Sequence, residues 1–254
     1  MSATVAAAER ALRAQWDRLR PWVGEVVSDA VPGAVPGAMP GAGSLGAEPS
    51  VLDGWTVAEL VAHLGRAMEA LAVCVPLPPG TTPLTLGEYV GTYSARAADI
   101  AQTTRALAVE IADDPLRHVD DSARAAFDQL SSLGPSDIVV QARRGPVRLS
   151  TMATSRVVEL VVHADDLYRS VRRVPGAGPV VDPVDPDALR LVSDELLAIV
   201  VARGGWDLEV ADERQWMRLA AGREPATPAA LAAALRPRWT GEGIPDLGRT
   251  LPLL

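Results

Sequence analysis

The sequence predicts an all-α fold: a four-helix bundle with a small α/β C-terminal extension. Three observations predict it. Apolar residues recur at helical spacing through four long stretches. The connections between those stretches are short or irregular, as in a bundle. The stretch Arg156-Val-Val-Glu-Leu-Val-Val-His-Ala-Asp-Asp-Leu-Tyr-Arg-Ser170 is apolar over most of its surface, which marks a helix buried nearly all round.

The first element covers residues 3–30, with Leu12, Trp16, Leu19 and Val23 at helical spacing and Pro21 placed to kink it. Val31-Pro-Gly-Ala-Val-Pro-Gly-Ala-Met-Pro-Gly-Ala follows, a tandem repeat without an apolar pattern, so residues 31–50 are expected to form a flexible loop with no chemistry. Thr56 and Glu59 then have the spacing of a capping box, with Trp55 and Leu60 placed as a hydrophobic staple. This second helix should run to about Ala72, with His63 two turns in. A third is expected over 86–112, carrying Tyr89, Tyr93, Arg96 and Ile100 and stopped by Asp113-Asp114-Pro115; a shorter one is expected over 121–132. Residues 138–149 pattern as a hairpin or an extended loop around Gly145-Pro146 and lead into the buried helix.

Residues 174–186 are rich in Pro and Gly and read as a linker. Beyond them come a helix over 187–203, a strand near Trp206–Val210, and helices near 213–222 and 228–235. At roughly 70 residues this tail is near the lower limit for an independent domain, so it is expected to pack on the bundle. The chain therefore divides into a bundle of residues 1–175 and a C-terminal unit of residues 183–254.

Composition narrows the functions. The 254 residues can bury a full core, and 48% hydrophobic content marks a folded chain. A net charge of −8 argues against a nucleic-acid surface and an anionic membrane. All 24 basic residues are Arg, which excludes a Lys nucleophile or Schiff base and fits a high-GC bacterial genome. Cys74 is the one cysteine, so there is no internal disulfide and no cysteine zinc cluster. No signal peptide is apparent and no apolar run approaches about 20 residues; a cytoplasmic location is expected.

Read as a helix, the stretch from Arg156 puts Arg156, Glu159, His163, Asp166 and Ser170 on one face. A polar stripe inside a bundle must be paired, hydrogen-bonded or bound to a metal. Glu159 and His163, four apart, can share one ion, and His63 on a second buried helix can complete a two-His, one-carboxylate site. Three protein ligands leave a fourth position open, the pattern of catalytic zinc; non-haem iron uses the same set. Plainer readings stand beside this one. His63 can be a hydrogen-bonded core histidine and Glu159 the ion-pair partner of Arg156. His118 lies in a charged turn, where it would be solvated. Arg96 can be a surface residue, Arg143 and Arg144 a solvated pair, and Cys74 a small hydrophobe. There is no Gly-x-Ser-x-Gly, Walker or Rossmann pattern.

Trp55-Thr-Val-Ala-Glu-Leu-Val-Ala-His63-Leu, followed about a hundred residues later by Arg156-x-x-Glu159-x-x-x-His163-Ala-x-Asp166-Leu, resembles the DinB/YfiT-like superfamily, and within it the mycothiol-dependent maleylpyruvate isomerase group of actinobacteria. The likeness covers about residues 5–172. It implies a four-helix bundle with a divalent metal, usually zinc, on His63, Glu159 and His163, and mycothiol as cofactor or co-substrate. It implies a catalytic Arg on the third helix, for which Arg96 is the nearest match. The group commonly has an aromatic residue before the Asp of its His-Ala-x-Asp motif, where this chain has Asp165, so the pocket wall is expected to differ there.

The expectation is thus a zinc-dependent, mycothiol-type thiol enzyme acting on a small electrophile, as an S-transferase or a cis–trans isomerase. Arg96 would neutralise a substrate carboxylate and Asp166 would stand behind the metal ligands. The partners would be a small-molecule substrate and a thiol, with no nucleic acid and no membrane, on a monomer or homodimer. The rivals are a metal-dependent hydrolase and a non-catalytic bundle that binds a small molecule or a protein.

Overall fold

Thr4 accepts a hydrogen bond from the Ala7 amide and so starts helix α1 (Val5–Val27), which buries Leu12, Trp16, Leu19 and Val23 and continues through Pro21. It is the first element of a computed structural model that describes residues 3–28, 44–175, 180–239, 244–248 and 250–254. The repeat at 31–42 lies outside the described residues. The last part of the expected loop, 44–50, is instead ordered. Leu45–Ala47 is a 3-10 turn with Leu45 buried, and the amides of Ser50 and Val57 bond the carbonyls of Trp55 and Glu48. These bonds fix the entry to helix α2 (Val57–Ala72). Both halves of its capping box are made, Glu59 N to Thr56 Oγ1 at 3.2 Å and Thr56 N to Glu59 Oε2 at 2.7 Å. Two otherwise orphaned donors are satisfied, which is why the helix begins there.

Strand β1 (Val75–Pro76) follows. The single helix expected over 86–112 is broken: helix α3 (Leu86–Val90) ends at Gly91, a 3-10 turn spans Ser94–Arg96, and helix α4 (Ala97–Glu110) then begins. Gly91, Thr92, Tyr93 and Ser94 are weak helix formers. The Thr92 hydroxyl turns back on the Tyr89 carbonyl at 2.7 Å, which competes with the next helical turn. Helix α5 (Pro115–Leu133) starts earlier than the expected 121, because Asp114 caps it through Arg117 N and Pro115 is its first residue. His118 therefore stands on a helix rather than in a solvated turn. It is half-buried against Gly65, with Nε2 3.5 Å from Glu69 Oε1.

Of the two readings open for 138–149, the structure shows the hairpin: strands β2 (Val139–Ala142) and β3 (Gly145–Arg148) pair with Gln141 opposite Pro146, and β1 pairs with the free edge of β2. The hairpin delivers the chain to helix α6 (Leu149–Val171). The bundle consists of α1, α2, α5 and α6, in which α6 and α5 each pack against both α1 and α2. The remaining bundle helix is thus α5 and not the stretch 86–112. Helix α5 buries Val119, Ala123, Ala126 and Leu130 along one stripe, whereas α4 buries only Thr104 and flanks α2. Cys74 is buried, and burial pushes its thiol up to about 11, as befits a small hydrophobe.

Helix α7 (Pro186–Gly204) packs on α6 and α1. The described part of the expected linker is strapped to α1. Trp22 Nε1 donates to the Val181 carbonyl at 3.0 Å, and the buried Gln15 amide donates to the Pro183 carbonyl and accepts from Asp185 N, each at 3.0 Å. Then come strand β4 (Leu208–Val210), helix α8 (Glu213–Ala220) on α7, helix α9 (Pro228–Ala234) and strand β5 (Leu235–Pro237), which pairs antiparallel with β4.

Asp165 of α6 ties this segment to the bundle. It has no exposed surface, Arg218 grips both its oxygens at 2.7 and 2.8 Å, and Arg214 approaches at 3.4 Å. Arg218→Met should therefore destabilise the chain by about 3 kcal/mol, the lower end for a broken buried pair because Arg214 remains. Denaturant melts check this; a change below about 0.5 kcal/mol, the size of an ordinary surface substitution, would contradict it.

Candidate metal centre

Nearly every residue of α6 is buried, so its polar face points into the bundle. Arg156, Glu159, His163, Asp166 and Ser170 stand on that face, as their spacing predicts. His63 arrives from α2. Its Nε2 lies 3.3 Å, and His163 Nε2 lies 3.4 Å, from the same oxygen, Glu159 Oε2. One donor atom from each of the three falls within 4.8 Å of the others, and the two rings meet edge to face with centroids 4.6 Å apart.

Those separations test whether the trio suits an ion. A ring N–H that bonds a carboxylate usually does so at about 2.7–3.2 Å. Two ligands each about 2.0–2.1 Å from a tetrahedral zinc ion stand about 3.3 Å apart. The spacing of each nitrogen from the carboxylate oxygen is therefore that of neighbouring corners of one coordination sphere, and the residues fit a divalent metal.

Arg156 is the competing partner for Glu159, but at 4.0 Å. Its guanidinium donates instead to the Ala67 carbonyl at 2.8 Å, the Tyr93 hydroxyl at 2.9 Å and the Ser155 hydroxyl at 3.3 Å. Glu159 so keeps an oxygen turned to the histidines. Burial pushes its carboxyl up, but hydrogen bonds with His163 and His63 and the charge of Arg156 outweigh this and hold it well below the usual range. Burial lowers the His63 pKa, which leaves a neutral ring with a lone pair to donate. Burial acts the same way on His163, but the bonds to Asp166 and Glu159 prevail and raise it.

Both rings are held from behind. His163 Nδ1 and Asp166 Oδ2 are 3.1 Å apart, and His63 Nδ1 lies 3.4 Å from the hydroxyl of buried Thr104. A histidine tied at one nitrogen presents the other. Trp55 stands edge-on to His63 at 5.5 Å. Asp166, fully buried and not in the cavity wall, is gripped by Arg223 through contacts of 3.0 and 3.1 Å.

The trio opens on a cavity of about 300 Å³ with Leu52, Trp55, Ile100, Val158 and Val162 in its walls. Arg96 is exposed on its 3-10 turn and is not in this lining, which takes Tyr93, Ser94, Ala97 and Ile100 from the same stretch. Arg144 takes part instead, its guanidinium 4.1 Å over the Tyr93 ring. It sits on the β2–β3 turn and is half-buried rather than a solvated partner of Arg143. Asp165 faces α8, so the departure from the group's motif leaves the wall untouched. Sequence reasoning also missed Thr104, Arg223 and Leu254, which no local pattern marks: Arg223 is 57 positions from Asp166.

A helical bundle with a His–Glu–His cluster on the floor of a core cavity defines the class, a DinB-like bundle. Residues 46–168 match the family described as mycothiol maleylpyruvate isomerase N-terminal domain, within the DinB-like superfamily. No curated protein and no solved structure matches the chain.

Glu159→Gln separates the two roles open to this carboxylate. Weaker metal binding, by more than the roughly 10–100-fold typical of losing a residue behind the ligands, is expected on titration. Unchanged metal content with a stability loss of about 3–5 kcal/mol would make Glu159 a structural ion pair. The metal-free chain adds a pH test. The folded Glu159 pKa lies below the unfolded value of about 4.3. Its stabilisation is then complete above that value and lost as the pH falls through the folded pKa. The variant's stability should fall less steeply with acid than the parent's, as denaturant midpoints across that window would show.

Proposed function

We propose that the chain is a metal-dependent enzyme that uses a low-molecular-weight thiol of the mycothiol type on a small electrophilic molecule, as an S-transferase or a cis–trans isomerase. The observation that supports this most is the pair of histidine nitrogens on one buried carboxylate oxygen, at the floor of an apolar cavity, in a stretch that matches a mycothiol-enzyme family. His63, Glu159 and His163 would hold the ion, zinc in the first instance, and leave a position open to a ligand from outside. A divalent ion there supplies positive charge that lowers the pKa of a thiol and favours its thiolate.

The chain's own groups do the rest. Glu159 sets a negative charge against the ion, and Asp166 orients the His163 ring. The apolar walls exclude water and receive the hydrocarbon body of the electrophile. Arg144 makes no ion pair among the described residues and lies flat on Tyr93. A stacked guanidinium keeps its N–H edge free, so it offers the charge for a substrate carboxylate that Arg96 was expected to give. In this reading residues 1–175 supply the ligands, and the unit at 183–254 closes the cavity with Arg223 and Leu254.

Elemental analysis of the purified full chain should find about one divalent metal per molecule. His63→Ala should lose most of it and His118→Ala should not; equal retention by both would sink the ligand assignment. Turnover of an electrophilic acceptor should require added thiol. Thiol retained in the product marks a transferase, and thiol regenerated marks an isomerase. Turnover without thiol would make the protein a hydrolase, and a metal-free chain would leave a binding bundle.

A further inference from the structure

Arg223 lies beyond the stretch that matches the family, on the turn after α8, yet its side chain reaches the centre. Its Nε stands 3.1 Å from each oxygen of Asp166 and its Nη2 stands 3.0 Å from Oδ2. The same Oδ2 meets His163 Nδ1. We propose that Arg223 is a positioning residue: by fixing the Asp166 carboxylate it fixes the His163 ring, so a segment outside the bundle completes the centre. This rests on reading His63, Glu159 and His163 as a metal site.

The geometry supports a built contact. Asp166 is fully buried, and among the described residues His163 and Arg223 are its only ion-pair partners. Held by the imidazole alone, the carboxylate can rotate about its last bond and release the ring. Held also by a planar fork it has one orientation, which a point charge such as Lys cannot impose. The chain is shaped to deliver that fork. Gly222 has φ +69°, a conformation that favours glycine, and a Cβ there would lie 3.0 Å from the Pro252 side chain. Arg223 Nη1 is braced on the Ala221 carbonyl at 2.9 Å, and Leu253 N bonds the Ala220 carbonyl at 2.8 Å, which sets Leu254 beside Arg223 in the cavity wall.

The test uses the full chain with Co(II) as the probe ion, in Arg223→Met, Arg223→Lys, Asp166→Asn and Arg223→Met/Asp166→Asn variants. Arg223→Met should weaken cobalt binding by about 10–100-fold, Arg223→Lys should recover only part of this, and Arg223→Met should add nothing in the Asp166→Asn background. In the metal-free proteins, NMR spectra of the His163 ring should show one fixed ring orientation in the parent and exchange between orientations in Arg223→Met. Unchanged cobalt affinity and unchanged ring shifts in Arg223→Met, whatever its melting temperature, would overturn the proposal. An equal loss of affinity in both backgrounds would also overturn it. A parent chain that binds no cobalt would overturn the metal reading instead, and the metal-free ring spectra would still decide what Arg223 does.

Discussion

Five charged or titratable side chains on one buried helix, Arg156, Glu159, His163, Asp165 and Asp166, are the constraint on which the rest of the structure depends. A buried ion without a partner costs several kcal/mol. Four of the five draw a partner from a different part of the chain: Arg156 from the Ala67 carbonyl and Tyr93, Glu159 from His63, Asp165 from Arg218 and Asp166 from Arg223; His163 is held by Glu159 and Asp166 of its own helix. The packing of α2 and the C-terminal segment around α6 follows the same demand as the apolar core.

The three acids are not satisfied alike. Asp165 and Asp166 each face an arginine fork at hydrogen-bond distance. Glu159 has its arginine at 4.0 Å and two imidazoles, one of them neutral by burial, at 3.3 and 3.4 Å. Of the acids on α6 it is the one whose negative charge is least matched by the protein. The same point has two nitrogen donors and opens on a cavity. Structural charge pairs and the candidate site thus differ in how far the protein itself neutralises them.

The family match ends within α6, before the arginines that neutralise Asp165 and Asp166. The cavity wall nevertheless includes Arg223 and Leu254. The bundle carries the donor atoms, and the segment after it supplies the counter-charges that let α6 keep its acids buried. Removing those arginines would leave two carboxylates in a low-dielectric interior, so the segment and the bundle are coupled through electrostatics as well as through apolar contact.

The sequence by itself determined what depends on near neighbours. The start of α2 was legible from Thr56 and Glu59, the hairpin from Gly145, and the buried polar face of α6 from its 3.6-residue period. His63, Glu159 and His163 followed from there, because two share a helix face and only three histidines exist. Only the tertiary structure decided that α5 rather than 86–112 completes the bundle, that Arg144 and not Arg96 reaches the cavity, and that Asp165 turns away from it. Capping and periodicity act over a few residues and leave a local mark. Which of 24 arginines meets a given carboxylate depends on chain reversals tens of residues apart, and a charge pair formed across such a distance has no local pattern to betray it.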